Sequence, residues 1–449
     1  MKLPSAVKEL NKMFTDRGHE LYLVGGCVRD YLMNKEPHDY DMCTSALPTE
    51  TIETLTANCI FYTANGIIFG TVVAVIDGKE YEITTYREDM AYEDKRHPDG
   101  VSYVRDINSD LGRRDFTINA MAMNITTGDV VDPYDGKKDL ENKVIRSVRD
   151  PYVRFDEDGL RILRAMRFAV KFGFSIEEET KKAMHENVMD LGYVSKERVT
   201  EEFRKMLTLN KPISSIFMEF NDIVSYLILE IKECVGFNQN NKYHKHDVYE
   251  HLLAVTDLAD TNKFEIKMAA LLHDIGKPKS YAVGEDGYGH FYGHPAVSKE
   301  MCVDLLKKDF RLTREETDLI LNLVEFHDEY IAPTKKSVKK FIAKHGKDFL
   351  DDWYVLKSAD FNDHILGDNP PSNWYTDISI VKELERQLEE EENCFSLKDL
   401  AVNGNDVKEV LGLKQGKEVG KALNKLFEMV LNEEVENTKD ALIGVLVNE

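Results

Sequence analysis

The feature that most constrains this chain is a strand, a double glycine and a helix start, LVGGCVRDYL at residues 23–32, followed by the acidic segment HDYDMC at 38–43. Leu21 to Val24 finish a strand. Gly25 and Gly26 then permit a tight turn, and Val28 to Leu32 begin a helix. The free N–H groups of a helix start suit a triphosphate, and Arg29 would point from that first turn towards it. Asp39 and Asp41 alternate, so on a strand both carboxylates face one side. Like charges held that close are costly unless a cation lies between them, and oxygen-only ligands favour Mg²⁺. Such ions activate an attacking hydroxyl and stabilise a leaving pyrophosphate.

Around this motif the pattern predicts a helix over 5–17 and strands at 20–24, 38–43, 59–63, 67–76 and 79–86. A helix of about ten residues, opened by Ser45, Pro48 and Thr49, falls between the second and third strands. These make a compact α/β or α+β domain with a small mixed sheet. Residues 87–112 are polar and aperiodic, the mark of a long functional loop. After Pro151 the pattern is helical throughout. The 449 residues suggest about three structural units.

Lys plus Arg number 58 and Asp plus Glu 81, a net charge of −23. That balance argues against a protein that coats nucleic acid non-specifically. Residues 161–212 nevertheless hold eleven Lys/Arg against eight Asp/Glu, a locally basic stretch. No apolar run is long enough to span a bilayer, and the charged N-terminus does not resemble a secretion signal. Six cysteines without a CxxC suit reduced thiols in a cytoplasm.

Two further segments carry charge with a pattern. DEDGLRILRAMRF places Asp158, Arg161, Arg164 and Arg167 three apart, which on one helix makes a ladder of one carboxylate and three guanidinia. Its arginines lack nearby acidic partners beyond Glu157 and Asp158. RRDFTINAMA holds Arg113, Arg114, Asp115 and Asn119, where Asp115 also suits a helix cap. A separate constellation is made of His246 and His251 in HDVYEHLLAV, His273 and Asp274 in LLHDIGKP, His294, His327 and Asp360. Several lie in apolar helices, where an imidazole beside a carboxylate is costly unless metal-bound or fully hydrogen-bonded.

GGCVRD followed by DYDMCTSA, then EITTYR (82–87), RRDFTINAMA (113–122) and EDGLRILRAMRF (157–168), resembles the head of class II tRNA nucleotidyltransferases. These are the CCA-adding enzymes and bacterial poly(A) polymerases, of the DNA polymerase beta superfamily. The resemblance covers about residues 1–215. It implies Asp39 and Asp41 as catalytic metal ligands, a third carboxylate from Glu82 or Glu80, and triphosphate contacts from Arg113 and Arg114. Asp115 and Asn119 would brace the sugar or the turn. Asp158 and Arg161 would act as an amino-acid template for the base, with Arg164 and Arg167 on phosphate or the primer end. Cytosine and adenine both offer an exocyclic amine to Asp158 and a ring nitrogen to Arg161, whereas guanine and uracil show a carbonyl where the amine should be. The loop over 87–112 is full length, as in relatives competent for the terminal A.

Residues 245–365 resemble HD-domain phosphohydrolases. That implies His251, His273, Asp274 and Asp360 as metal ligands, with Lys277, His294 and His327 serving a second metal or a phosphate. Mixed His/Asp ligation suits Mn²⁺, Fe²⁺, Ni²⁺, Co²⁺ or Mg²⁺. Residues 397–445 resemble the tail of the same tRNA enzymes. The expected order is therefore a nucleotidyltransferase head (1–148), a helical neck (149–240), an HD domain (241–366) and a helical tail (367–449). The implied partners are the tRNA 3′ end, CTP and ATP. A poly(A) polymerase is the rival, as is a phosphohydrolase whose head only binds nucleotide.

Overall fold

The computed structural model describes residues 3–89, 101–241, 244–364, 374–390, 396–414 and 416–448. The chain divides into two compact units, Met1–Leu229 with Asp309–Arg311, and Glu230–Lys308 with Leu312–Glu449.

The first unit is built on a seven-stranded sheet. Its strands are β1 (Leu21–Val24), β2 (Met42–Thr44), β3 (Phe61–Thr63), β4 (Thr71–Ile76) and β5 (Lys79–Thr85). A separate pair, β6 (Arg87–Asp89) and β7 (Val101–Tyr103), follows, and β8 (Ala122–Asn124) and β9 (Val130–Val131) return to the sheet. The spatial order is β3-β4-β5-β2-β1-β8-β9. β2 and β5 run parallel, and every other neighbouring pair is antiparallel. Strand alternation gives the sheet two cores. Leu21, Leu23, Met42, Ala74 and Ile83 pack with Val7, Leu10 and Phe14 of the helix Ser5–Thr15 and with Leu55 of the helix Pro48–Ala57. Val24, Cys43, Tyr86 and Ala122 pack on the other face with Leu111 and Val148.

Several expectations need correction. The strand expected over 67–76 begins only at Thr71, because Ile67–Phe69 form a short 3-10 turn that ends at Gly70, φ +79°. The strand expected over 38–43 is ordered as a ladder only from Met42, because its partner β1 ends at Val24, where the chain turns at Gly25 and bonds to Met121 O. The polar stretch 87–112 is not all loop. It contains β6, β7 and a helix, Ile107–Gly112, whose Asp106 side chain caps the Asn108 N–H. These short elements are set by pairing and capping, and periodicity over so few residues does not reveal them. The part of that stretch at 90–100, on which the full-length loop expectation rests, lies outside the described residues.

Helices Pro151–Glu157, Leu160–Phe172, Glu178–Glu186 and Lys196–Leu207 complete the first unit with shorter turns. Asp158, expected inside one helix with the arginines, sits between two, in extended backbone at φ −151°. The break is held by Gly159, where a Cβ would stand 2.6 Å from Asp190 O, and by Asp158, whose carboxylate accepts the Leu160 N–H at 3.1 Å.

The second unit is helical. Helices Val248–Leu258, Phe264–Leu272, His294–Asp304, Arg314–Phe326 and Lys347–Asp363 surround a buried cluster of polar side chains. Helices Gly404–Leu411, Lys417–Leu431 and Lys439–Val447 share a small core of Val402, Val407, Leu426 and Leu442. Among the described residues no helix is long and apolar enough to cross a membrane.

Candidate active site and metal centre

In the first unit the acids gather where β2 begins. Met42 pairs with Ile83 in parallel register, so the preceding residues Asp41 and Glu82 lie beside one another. The Val24 N–H donates to Asp41 O at 3.0 Å and holds that residue extended although it precedes the ladder. Asp39, Asp41 and Glu82 are exposed. Desolvation nonetheless raises the Asp41 carboxyl above its ordinary range; Arg114 opposes the shift and Asp39 adds to it. The Glu82 carboxyl is raised by desolvation, then by the charges on Asp41, Glu80 and Asp39. Partial desolvation and the crowding of like charges, not full burial, account for both shifts. Among the described residues these acids do not close to the 4.8 Å mutual spacing reached by the ligand groups of the second unit.

Gly25 adopts φ +71°, and a Cβ there would stand 2.9 Å from Arg114 Nη1. The bare glycine therefore lets a guanidinium lie against the turn. Arg114 and Arg113 both lean on Asp110, at 3.4 and 2.9 Å, and the Asp110 carboxylate is fully buried. Arg29 is placed differently from expectation. Its guanidinium is buried, donates to Asn119 Oδ1 at 2.6 Å, pairs with Asp30 at 2.8 Å and lies 4.8 Å from the centre of the Phe172 ring. It ties down the short helix Gly26–Leu32 and is not presented to solvent.

Asn119 in turn donates to Asp115 Oδ1 at 3.1 Å. Asp115 Oδ2 accepts from Arg164 Nε and Nη2, at 2.9 and 2.6 Å. Burial would raise the Asp115 carboxyl, but Arg164, Asn119 and the Phe116 N–H outweigh it and hold it down at about 2. Arg167 pairs with Glu202 at 2.5 Å, and Arg164 is 3.8 Å from the same carboxylate. The expected shortage of acidic partners is thus corrected. Arg164 and Arg167 have them, but 49 and 35 residues away along the chain.

Asp158 and Arg161 are each held by another residue. The Asp158 carboxylate receives both terminal nitrogens of Arg198, at 2.8 and 3.3 Å. Arg161 pairs with Glu157 and donates to Arg154 O, both at 2.7 Å. Glu202, Arg198 and Asp110 escaped the sequence reading. Only Asp110 left a local signal, an acid three and four residues before an arginine pair.

The second unit brings its expected ligands together. His251, His273 and Asp274 form one cluster able to hold a metal ion, and Asp274, His294 and His327 form another. Asp274 belongs to both, which makes it a bridge. Its Oδ2 lies 3.3 Å from the Nε2 atoms of His251 and His273, and its Oδ1 lies 3.0 and 3.5 Å from those of His294 and His327. Asp360 Oδ1 is 3.3 Å from His251 Nε2. Lys277 pairs with Asp274 at 2.5 Å and donates to Gln239 Oε1 at 2.9 Å. His246 stands aside, 3.4 Å from Asp363.

The imidazoles are oriented from behind. His273, His294 and His327 have Nδ1 within 2.8 Å of the carbonyls of Ala270, Phe291 and Val324, and His251 Nδ1 is 2.8 Å from Asp363 Oδ2. Those oxygens only accept, so each Nδ1 carries the proton and each Nε2 faces inward. His251 and His273 Nε2 are 3.3 Å apart, as are those of His294 and His327. Asp274 Oδ1 is buried without a hydrogen bond. Inward-facing Nε2 atoms and an orphaned carboxylate oxygen fit a positive charge at the centre. The His251 imidazole shows the same demand. Burial would lower it, but Asp274, Asp360 and Asp363 push it up to about 10.

Comparison with known proteins covers both units. The model described as Poly A polymerase head domain matches residues 21–146, and one for a probable RNA- and SrmB-binding site of polymerase A matches 173–219. The HD domain model matches 248–360, and a putative tRNA nucleotidyltransferase domain 2 matches 373–446. The CCA-adding enzyme of Pediococcus pentosaceus is 32% identical over 440 residues, 96% of this chain and 94% of its own. That of Staphylococcus saprophyticus is 30% identical, covering 94% of this chain and 93% of its own. Among solved structures, the Bacillus stearothermophilus CCA-adding enzyme in complex with CTP superposes with a TM-score of 0.66 at 26% identity, covering 100% of this chain and 98% of its own. The Thermotoga maritima enzyme complexed with tRNA has a TM-score of 0.62 at 19% identity, covering 99% and 94%, and shows the shared fold alone. A polymerase-type head, an HD domain and relatives matched from end to end lead to one conclusion: the chain belongs to the family of CCA-adding enzymes, nucleotidyltransferases of tRNA processing.

Proposed function

We propose that this protein adds C and A nucleotides to the 3′ end of tRNA without a nucleic-acid template, with CTP and ATP as donors. The tRNA 3′-hydroxyl attacks the α-phosphorus and gives up its proton to solvent, a new P–O bond forms, the bond from that phosphorus to the oxygen bridging to the β-phosphate breaks, and pyrophosphate leaves. Asp39, Asp41 and Glu82 would hold Mg²⁺, which when bound lowers the charge barrier between hydroxyl and phosphate. The observation that carries the reading is the position of Glu82 beside Asp41 at the mouth of the Gly25 turn.

Arg113 and Arg114, braced by Asp110, would take the triphosphate. Asp158 would accept from the amine of cytosine or adenine while Arg161 donates to the ring nitrogen. The base would share these groups with their present partners, Arg198 and Glu157, which hold them in place. A wrong base leaves Asp158 facing a carbonyl, a mismatch worth about a hundredfold or more. Incubating a tRNA truncated before CCA with each nucleoside triphosphate tests the proposal. Incorporation of C and A but not G or U is expected. Unlimited A addition would instead favour a poly(A) polymerase.

The second unit is proposed to hydrolyse a phosphoester on RNA ends, such as a 2′,3′-cyclic phosphate. His251, His273, Asp274 and Asp360 would hold one divalent ion, and His294 and His327 would share Asp274 with a second. Mn²⁺, Fe²⁺, Ni²⁺, Co²⁺ and Mg²⁺ all suit this donor set. The shared, orphaned carboxylate supports two cations over one. Opening of 2′,3′-cyclic ends to the 2′- or 3′-phosphomonoester, abolished in His273→Ala but not in Asp39→Ala, is the expected result. We place the protein in the cytoplasm, on five free cysteines among the described residues.

A further inference from the structure

Next to the cluster of histidines and aspartates lies an apolar cavity of about 170 Å³ that the proposed reaction leaves without a role. Its lining includes Trp353, Ile331, Ile378 and Val381, with Glu329 and Lys357 at the polar side. Trp353, Ile331 and Val381 are 2, 5 and 2% exposed, so the walls are set by packing. The Trp353 indole is fixed by its bond to Phe326 O at 2.8 Å.

The cavity is joined to the cluster by two elements. Trp353, Lys357 and Asp360 follow one another at i+4 and i+3 along the helix Lys347–Asp363, hence on one face. The apolar wall, a cation and a metal-ligand candidate are thus in line, about 10 Å from first to last. That is the order of one nucleotide's length. Lys357 Nζ lies 3.2 Å from Asp328 Oδ1 and 3.8 Å from Asp360 Oδ2, which ties the pocket wall to the ligand carboxylate. The second link is the chain itself, since His327 is followed directly by Asp328, Glu329, Tyr330 and Ile331, all four of which line the cavity.

We propose that this cavity is a nucleobase subsite, which holds the base of a terminal ribonucleotide while its phosphoester lies at the His/Asp cluster. The inference rests on the phosphohydrolase reading of that cluster. A flat ring fits between the indole and the aliphatic wall of Ile331, Ile378 and Val381. The carboxylates of Asp328, shared with Lys357, and Glu329, shared with Lys344 and His345, can accept from an exocyclic amine, which adenine, cytosine and guanine carry and uracil lacks. Lys357 stands where the sugar phosphate passes from pocket to cluster. In the reaction water adds to phosphorus, one ring P–O bond breaks, and the freed ribose oxygen takes up a proton.

The test uses the full chain loaded with Mn²⁺ and two probes, adenosine 2′,3′-cyclic phosphate and the base-less methyl riboside 2′,3′-cyclic phosphate. Wild type is expected to prefer the adenosine probe at least tenfold in kcat/KM, mostly through KM. Val381→Phe and Ile331→Phe, which fill the cavity, should each collapse that preference towards unity. Calorimetric Kd values for adenosine 3′-monophosphate and for base-less methyl riboside 3′-phosphate, with and without Mn²⁺, should show the same loss. No preference in wild type, or a preference that survives both filling variants, overturns the subsite. If neither probe is hydrolysed but the base still strengthens binding and the variants abolish it, the phosphohydrolase reading fails and the subsite stands.

Discussion

Arg164 donates from Nε and Nη2 to a single carboxylate oxygen of Asp115, and the second oxygen of Asp115 is taken by Asn119 and the Phe116 N–H. Through Asn119 the network reaches Arg29 in the helix after the glycine turn, and through Glu202 it reaches Arg167. The glycine-turn helix and the arginine helix are therefore cross-linked by charge.

The Asp115 carboxyl lies at about 2, against an ordinary 3.8, so its ionised form is favoured in the folded protein. The resulting stability is complete above about pH 4 and is lost as the pH falls through the folded value. Asp115→Asn should cost about 1–3 kcal/mol at neutral pH, discounted because Arg164 is partly exposed. Melting temperatures of wild type and variant should converge between pH 4 and 2. A gap that stays constant over that range would count against the pairing.

Gly25→Ala should damage the head by two routes, a non-glycine residue at φ +71° and a methyl group 2.9 Å from Arg114. The backbone cost is about 1–3 kcal/mol. Displacement of Arg114 should raise KM for CTP and ATP together. An alanine variant with wild-type stability and kinetics would contradict both routes.

Arg198→Ala should loosen nucleotide choice, since Asp158 would lose the partner that fixes its plane. UTP and GTP incorporation relative to CTP and ATP should rise about tenfold or more, and Asp158→Ala should exceed it. Ratios of kcat/KM on truncated tRNA measure this. Discrimination as sharp as wild type in both variants would remove Asp158 from the selector.

Asp363→Ala should weaken metal binding in the second unit about 10–100-fold by releasing the His251 ring, without removing a ligand. Metal-dependent rises in melting temperature would report the loss. Metal uptake should also release a proton, because His251 is pushed up to about 10 before a cation arrives. Unchanged affinity in the variant would place the ion elsewhere.

Local signals carried much of this structure. The helix Ser5–Thr15 followed from Val7, Leu10 and Phe14, and the helix Pro48–Ala57 from its proline start. The cluster around Asp274 was legible because histidines and acids in apolar helices demand a reason. What escaped was set by distant partners. Asp115 and Glu202 neutralise Arg164 and Arg167 across 49 and 35 residues, and no short window contains both ends. The helix break at Asp158 depends on a carbonyl at Asp190 that crowds Gly159, which is tertiary information as well.

Three of the inward-facing imidazoles are anchored by carbonyls three residues earlier in the chain, Ala270, Phe291 and Val324. Their tautomers are therefore chosen within a single turn of backbone, wherever the rest of the molecule has got to in folding. Such rings arrive with the donor nitrogen already selected. A cation entering the finished centre need only close the gap, with no ring left to invert.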